Sequence, residues 1–210
     1  MPLQLSPLNP DEIGDFVRIQ CAAFQSGMAH KMSLPLTPEK RQSMRDRNLK
    51  SLREDSDCHY LKVVDTDTNE IIACAKWRIN LSERSEEVVE KTLPVVDESE
   101  GANRAERDFM RWLRENRWEW MGGRPFYLLH ILVTDPKHHR RGAGGMLLRW
   151  GIEQADRDGL PSYLEASEDG RPLYERNGFK AIKEGWFDPT DYGGEGPKEC
   201  NTIMIRDPIQ

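Results

Sequence analysis

The segment Phe126-Tyr127-Leu128-Leu129-His130-Ile131-Leu132-Val133-Thr134-Asp135-Pro136-Lys137-His138-His139-Arg140-Arg141-Gly142-Ala143-Gly144 organises the chain. Residues 126–133 form a nearly continuous apolar run, the pattern of an interior strand covered on both faces. The glycine-rich turn follows directly, and Leu148, Ile152 and Ala155 then recur at helical spacing. Two glycines one residue apart, just before a helix, let successive backbone N–H groups converge on an anion without interference from Cβ. The helix dipole adds roughly 0.3–1 kcal/mol for negative charge at that end. Arg140 and Arg141 precede the glycines and carry charge suited to phosphate oxygens. A diphosphate-bearing ligand fits this turn, and a purely structural tight turn is the alternative. The turn lacks the Lys-Ser/Thr ending of a Walker A loop, and Leu147 stands where G-x-G-x-x-G needs its third glycine.

On the N-terminal side, Asn9-Pro10-Asp11-Glu12 gives a cap, a proline at the first helical position and a Glu three after the cap. It opens a helix through Ile13, Phe16, Val17, Gln20 and Phe24. Thr37-Pro38-Glu39 repeats the signal for a second helix ending near Glu54-Asp55-Ser56-Asp57. Residues 60–64 and 71–79 predict an antiparallel hairpin around Asp65-Thr66-Asp67-Thr68-Asn69. Residues 82–101 are polar and acidic and predict a mobile connector, after which Phe109, Trp112, Leu113, Asn116 and Trp120 mark a helix closed by Gly122-Gly123. Trp112, Trp118, Trp120, Phe126 and Tyr127 either wall an acceptor pocket or belong to the core, and the shared helical face of Trp112 and Trp120 favours core packing for those two. Beyond the Gly turn, residues 161–166, 179–182 and 202–205 predict strands and 172–176 a short helix. The fold class is therefore α/β, with a sheet of mixed direction in a single domain over residues 1–210.

Composition narrows the function classes. The 210 residues include 30 Lys and Arg against 36 Asp and Glu, a formal charge of −6, which disfavours nucleic acid and suits a cationic substrate. Cys21, Cys58, Cys74 and Cys200 are scattered, without the spacing of a metal site, so free thiols and no metal are expected. Met1-Pro2-Leu3-Gln4 does not begin a leader pattern, and no stretch of about 18 apolar residues occurs. A cytoplasmic protein without a membrane partner is the resulting expectation.

Leu132-Val133-Thr134-Asp135-Pro136 followed by His139-Arg140-Arg141-Gly142-Ala143-Gly144 resembles the acetyl-CoA motif of GNAT N-acetyltransferases, Q/R-x-x-G-x-G/A. A second family motif recurs as Tyr163-Leu164-Glu165-Ala166-Ser167 and Leu173-Tyr174-Glu175-Arg176-Asn177-Gly178-Phe179. The resemblance spans residues 126–182, fades over the first half of the chain, and leaves about 82–122 as a variable insertion. It implies a mostly antiparallel central sheet flanked by helices on both faces. It also implies that backbone groups of Leu132, Val133 and Thr134 pair with the pantetheine arm, while His139, Arg140, Arg141, Gly142, Ala143 and Gly144 hold the pyrophosphate. His139 replaces the usual Gln or Arg, Thr134 a frequent Val, and Ser167 a frequent Asn.

Amine acetylation needs a neutral nucleophile, yet an alkylamine of pKa near 10 is neutral in only about one molecule per thousand at pH 7. A base, or a desolvating site, must remove that proton, and an acid beside the sulfur eases its departure. The resemblance places Tyr174 beside the thioester sulfur as the acid, with packing against the cofactor as the alternative. His130 lies on the interior strand, on the side of Leu132 and Thr134 by the two-residue period, and is similar to a histidine serving as base in a family member. A satisfied core histidine is the other reading, and Glu165 is a further base or a structural hydrogen-bonding group. Asp188, Asp191 and Glu195 fall in a late Gly-rich loop suited to attracting an amine or simply to solvation.

The expected activity is direct acetyl transfer from acetyl-CoA to a small-molecule amine, with a homodimer compatible. Protein N-terminal or lysine acetylation, and a non-catalytic acyl-CoA-binding module, remain open.

Overall fold

The computed structural model describes residues 2–24 and 37–209. Its strands are β1 (Leu3–Pro7), β2 (Cys58–Asp65), β3 (Glu70–Asn80), β4 (Phe126–Thr134), β5 (Ser162–Ser167), β6 (Lys180–Phe187) and β7 (Glu199–Arg206). They form a seven-stranded sheet in the order β1-β2-β3-β4-β5-β7-β6. All neighbours are antiparallel except β4 and β5. The helices are α1 (Ile13–Ala23), α2 (Pro38–Glu54), α3 (Glu86–Thr92), α4 (Arg104–Trp120), α5 (Ala143–Asp158) and α6 (Arg171–Glu175). The mixed, mostly antiparallel architecture expected from the sequence is the one observed.

Local chemistry sets the helix starts. Asn9 and Glu12 complete a reciprocal capping box at a 3-10 turn leading into α1. Thr37 accepts from the Lys40 amide and Pro38 occupies the first turn of α2. Asn103 accepts from the Glu106 amide at the head of α4.

Two cores lie on opposite faces of the sheet. On one, Leu147, Leu148, Ile152 and Ala155 of α5 pack against Val63, Ala73, Trp77, Tyr127, Leu129 and Leu164. On the other, Phe16, Val17 and Ile19 of α1 and Met44 of α2 cover Tyr60, Ile71, Cys74 and Val133. Met121 covers Phe126, Leu128, Tyr163 and Ile203 further along that face, with Trp112 and Trp120 packed beside it. Trp118 is exposed.

One strand lay outside the sequence reading, and one expectation needs correction. β1, Leu3-Gln4-Leu5-Ser6-Pro7, alternates apolar and polar residues over only four positions before a proline, too short a run to predict a strand, and it pairs with the edge of β2 from Leu3↔Asp65 to Pro7↔Leu61. Residues 82–101 are not a plain connector: Glu86–Thr92 is helical, with Val89 buried and Lys91 paired to Glu87 at 2.7 Å. Short amphipathic turns of this kind depend on tertiary burial more than on propensity.

Candidate active site

β4 and β5 pair in parallel at only three positions, Tyr127↔Ser162, Leu128↔Tyr163 and Leu129↔Leu164. Beyond Leu129, β4 stays with β3 as far as Ala73↔Thr134, while β5 follows β7 to Ser167↔Asn201. The strands part at their carboxyl ends, and a crevice opens between them. Such a division is the usual ligand site of an open α/β sheet. It leaves one backbone edge of β4, over residues 130–134, without a strand partner.

The β3–β4 register steps from Lys76↔Ile131 to Trp77↔Leu129, so His130 is an extra, unpaired residue in a β-bulge. This changes the facing of the strand. Tyr127 and Leu129 pack with α5 before the bulge and Leu132 does so after it, whereas Ile131 and Val133 join the α1 face. His130 has Arg117, Lys76, Arg78 and Arg47 as its charged neighbours, on the face opposite α5. The expectation that it shares a side with Leu132 and Thr134 is therefore corrected: a strict period of two does not survive the inserted residue. His130 is exposed along the crevice and enclosed by protein on its other sides. Burial, reinforced by those four cations, pushes the imidazole well below its ordinary value, so it is neutral at pH 7. Water in the crevice moderates the effect of burial, but the four charges act in the same direction.

The turn after β4 has the shape of an anion nest. Asp135 accepts from the Lys137 amide and starts a 3-10 turn, Pro136–His138. Arg140 then takes φ +61° and Gly142 φ +90°, both left-handed, and Gly142 caps α5. The Met146 amide returns to the Gly142 carbonyl at 3.1 Å, while helix geometry leaves the preceding N–H groups of α5 without intrahelical acceptors. A Cβ on Gly144 would project toward Thr134 Oγ1 at 3.6 Å, Leu173 at 3.7 Å and Leu132 at 3.9 Å. The protein alone would tolerate it, so the glycine keeps open a cradle between β4 and α6.

Side chains brace this turn. Arg141 reaches back to buried Asp65 on β2 at 2.7 Å and meets His138 Nδ1 at 2.7 Å. His139 Nε2 lies 3.2 Å from the Thr134 carbonyl. Asp135 is held by Arg18 of α1 at 3.0 Å. Among the described residues Arg140 is exposed and enters no ion pair, so of the two arginines it is the one oriented to solvent. Ser167 accepts from the Gly170 amide at 3.2 Å and so starts the turn into α6.

Tyr174 on α6 is buried with the α5 core and meets Phe179 edge-on, with ring centroids 6.0 Å apart. Its hydroxyl makes no hydrogen bond among the described residues, and burial pushes its pKa above the ordinary phenol range, keeping it a proton donor.

Glu165 is taken by a two-point ion pair, its carboxylate accepting from Arg117 Nε at 2.7 Å and Arg117 Nη2 at 3.0 Å. Both side chains are nearly sealed from water. Both carboxylate oxygens are thus occupied by the guanidinium, which favours the structural reading of Glu165. Arg117 escaped the sequence reading, although a charge on the Leu113–Asn116 face of a helix signals a buried partner. Asp188 caps the 3-10 turn Pro189–Tyr192 and pairs with Lys198 at 3.3 Å, so the late loop uses it structurally.

The family model described as Acetyltransferase (GNAT) family matches residues 26–179. The chain belongs to the GNAT acetyltransferases. The acetyltransferase is also similar in fold to arylalkylamine N-acetyltransferase 2 from Aedes aegypti, at 15% identity and TM-score 0.69, over 99% of each chain. The ribosomal-protein-S18-alanine N-acetyltransferase from Escherichia coli superposes with TM-score 0.57 at 15% identity, covering 100% of this chain and 96% of that one. The PaiA N-acetyltransferase from Thermoplasma acidophilum, in complex with coenzyme A, gives a TM-score of 0.54 at 12% identity over 99% of each chain. The acetyltransferase is an enzyme that uses acetyl-CoA as its cosubstrate. Among the described residues no cluster of three or more His, Cys, Asp and Glu could hold a metal, and no helix is long and apolar enough to cross a membrane. Cys21, Cys58, Cys74 and Cys200 are buried and form no disulfide among the described residues.

Proposed function

We propose that the acetyltransferase forms one domain that moves acetyl directly from acetyl-CoA to the amine of a small molecule, with His130 as base and Tyr174 as acid. The observation that carries this reading is a neutral imidazole displaced by a bulge into the crevice between β4 and β5. Acetyl-CoA supplies an acyl carbon activated as a thioester. The unpaired β4 edge at Leu132, Val133 and Thr134 offers amides and carbonyls to its pantetheine arm, and backbone N–H groups from His139 to Gly144 offer hydrogen bonds to its pyrophosphate. Arg140 adds charge at the rim, Ala143 and Gly144 belong to the open helix end, and Ser167 sets the turn that presents Tyr174.

His130 Nε2 or Nδ1 accepts the proton of the attacking amine as the N–C bond forms. The Tyr174 hydroxyl donates its proton to sulfur as the C–S bond breaks. Each positioned transfer contributes roughly 10²–10⁴ in rate. Tyr174→Phe is expected to lower turnover by about 10²-fold while calorimetry finds coenzyme A affinity little changed. Unaltered turnover across pH would remove the acid role. Release of free thiol with small amines, and its absence with peptides, is the expected outcome that separates this activity from protein acetylation. Coenzyme A binding without release on any acceptor would indicate a binding module instead.

A further inference from the structure

The face that carries His130 also carries charge that this chemistry does not use. Lys76 is the register partner of Ile131, directly beside the bulge, and its ammonium lies 5.1 Å from the centre of the Tyr60 ring. The residue is half-buried, and burial, with Arg78 and Arg47 adding to it, lowers its pKa. Among the described residues no carboxylate pairs with it. Asp55 is engaged by Arg78 and Cys58, Asp57 also faces Arg78 at 3.7 Å, and Glu165 is closed on Arg117. Residues 25–36, Gln25-Ser26-Gly27-Met28-Ala29-His30-Lys31-Met32-Ser33-Leu34-Pro35-Leu36, contain no Asp or Glu that could serve. Arg47 on α2 is exposed and likewise enters no ion pair among the described residues. A half-buried ammonium without an anion is unfavourable in the free protein, and the cost is recovered when an anion arrives.

We infer that the acceptor bears a carboxylate close to its amine, and that Lys76, supported by Arg47, is the specificity residue that binds it. The inference rests on acetyl transfer at His130 to a small molecule. Paired residues of neighbouring antiparallel strands have Cα atoms about 4.5–5.5 Å apart, so an amine at His130 places only a short spacer before Lys76. An α- or β-amino acid meets that requirement, and a polyamine or a lysine-rich peptide brings more positive charge to a site already positive. The overall charge of −6 does not offset this, because exposed charges beyond a Debye length of about 8 Å are largely screened.

The test uses the full chain, acetyl-CoA and matched acceptors that differ by one carboxylate: phenylalanine and phenethylamine, tyrosine and tyramine, β-alanine and ethylamine. Thiol release is expected to give the carboxylated member a kcat/KM ~10–100-fold higher, the range of a charge-assisted contact. Lys76→Met should collapse that ratio, Lys76→Arg should retain most of it, and Lys76→Glu should invert it. Arg47→Glu, at an exposed position, should reduce the ratio even if the Lys76 variants fold poorly, and coenzyme A affinity reports folding in each case. Equal use of both members, preference for the simple amine, or a ratio unmoved by Lys76→Met and Arg47→Glu would overturn the inference. Release with simple amines alone would do so while leaving small-molecule transfer in place; release with peptides alone would remove both. Acetyl found on Lys76 itself by mass spectrometry, without acceptor turnover, would make that lysine a nucleophile and refute its role in recognition.

Discussion

At His130 the decisive quantity is the protonation state of a single ring. The imidazole is depressed below 6.5, so it is already neutral at pH 7, and acid inactivation begins only as pH falls toward that depressed value. The expected kcat/KM profile is flat through neutrality, with an acid limb below pH 6.5 that His130→Ala abolishes; an identical limb in the variant would exclude His130 as the group observed. The same residue marks the limit of what a sequence tells. Its presence on the interior strand was legible from Phe126 to Val133, but its facing was not, because a bulge depends on the register of β3, which lies about fifty residues earlier in the chain. Tyr174 was found from a motif, whereas Lys76 and Arg117 gave no motif and acquire meaning only from their neighbours.

Helices and strands show a different balance. Ends defined by a cap and a proline, as at Asn9 and Thr37, were readable because they are local hydrogen-bonding problems. β1 was missed because an edge strand of five residues draws its stability from its neighbour. Two packing predictions belong at this level. A Cβ on Gly151 of α5 would lie 2.3 Å from the buried Trp77 ring, so Gly151→Ala is expected to cost about 1–3 kcal/mol in denaturant unfolding by forcing helix and sheet apart. The pair linking α4 to β5 is a buried one, and Glu165→Gln should cost about 3–5 kcal/mol because it strands the Arg117 charge. Replacing both partners by Met and Leu should recover most of that loss; if the double variant is no more stable than the single one, the pair contributes more than mutual neutralisation.

Across the molecule, α5 spans the weak parallel seam. Its head is tied through Arg141 to Asp65 on β2, and its tail through Asp156 to Arg206 on β7 at 2.6 Å. The Arg141 hydrogen bond holds the Asp65 carboxyl below its usual range, and the Arg206 hydrogen bond does the same for Asp156. The folded state therefore binds fewer protons than the unfolded chain near pH 4, and this stabilisation is intact above that range and lost as pH falls through the depressed values. Acid titration is expected to show coenzyme A affinity and folding retained at pH 5 and lost together only below about pH 4. Asp65→Asn should weaken coenzyme A binding about tenfold by loosening the turn, with the sheet still folded by circular dichroism. Unchanged affinity would show that the turn keeps its shape without that tie. Such ties between distant segments are what one-dimensional patterns omit: the crevice could be placed after β4, but not the side chains that β2, β3 and α4 contribute to it.

The single surplus residue in β4 reverses the phase of everything downstream of it. Removing His130 would therefore delete the imidazole and the bulge together while leaving both cores filled as they are. Leu129 would then be followed by Ile131 in plain alternation, with Ile131 and Val133 still toward α1 and Leu132 still toward α5. The strand thus carries its imidazole on a residue that the packing of its two faces does not require, so a lineage of this chain can lose position 130, keep both cores and forfeit only the group in the crevice.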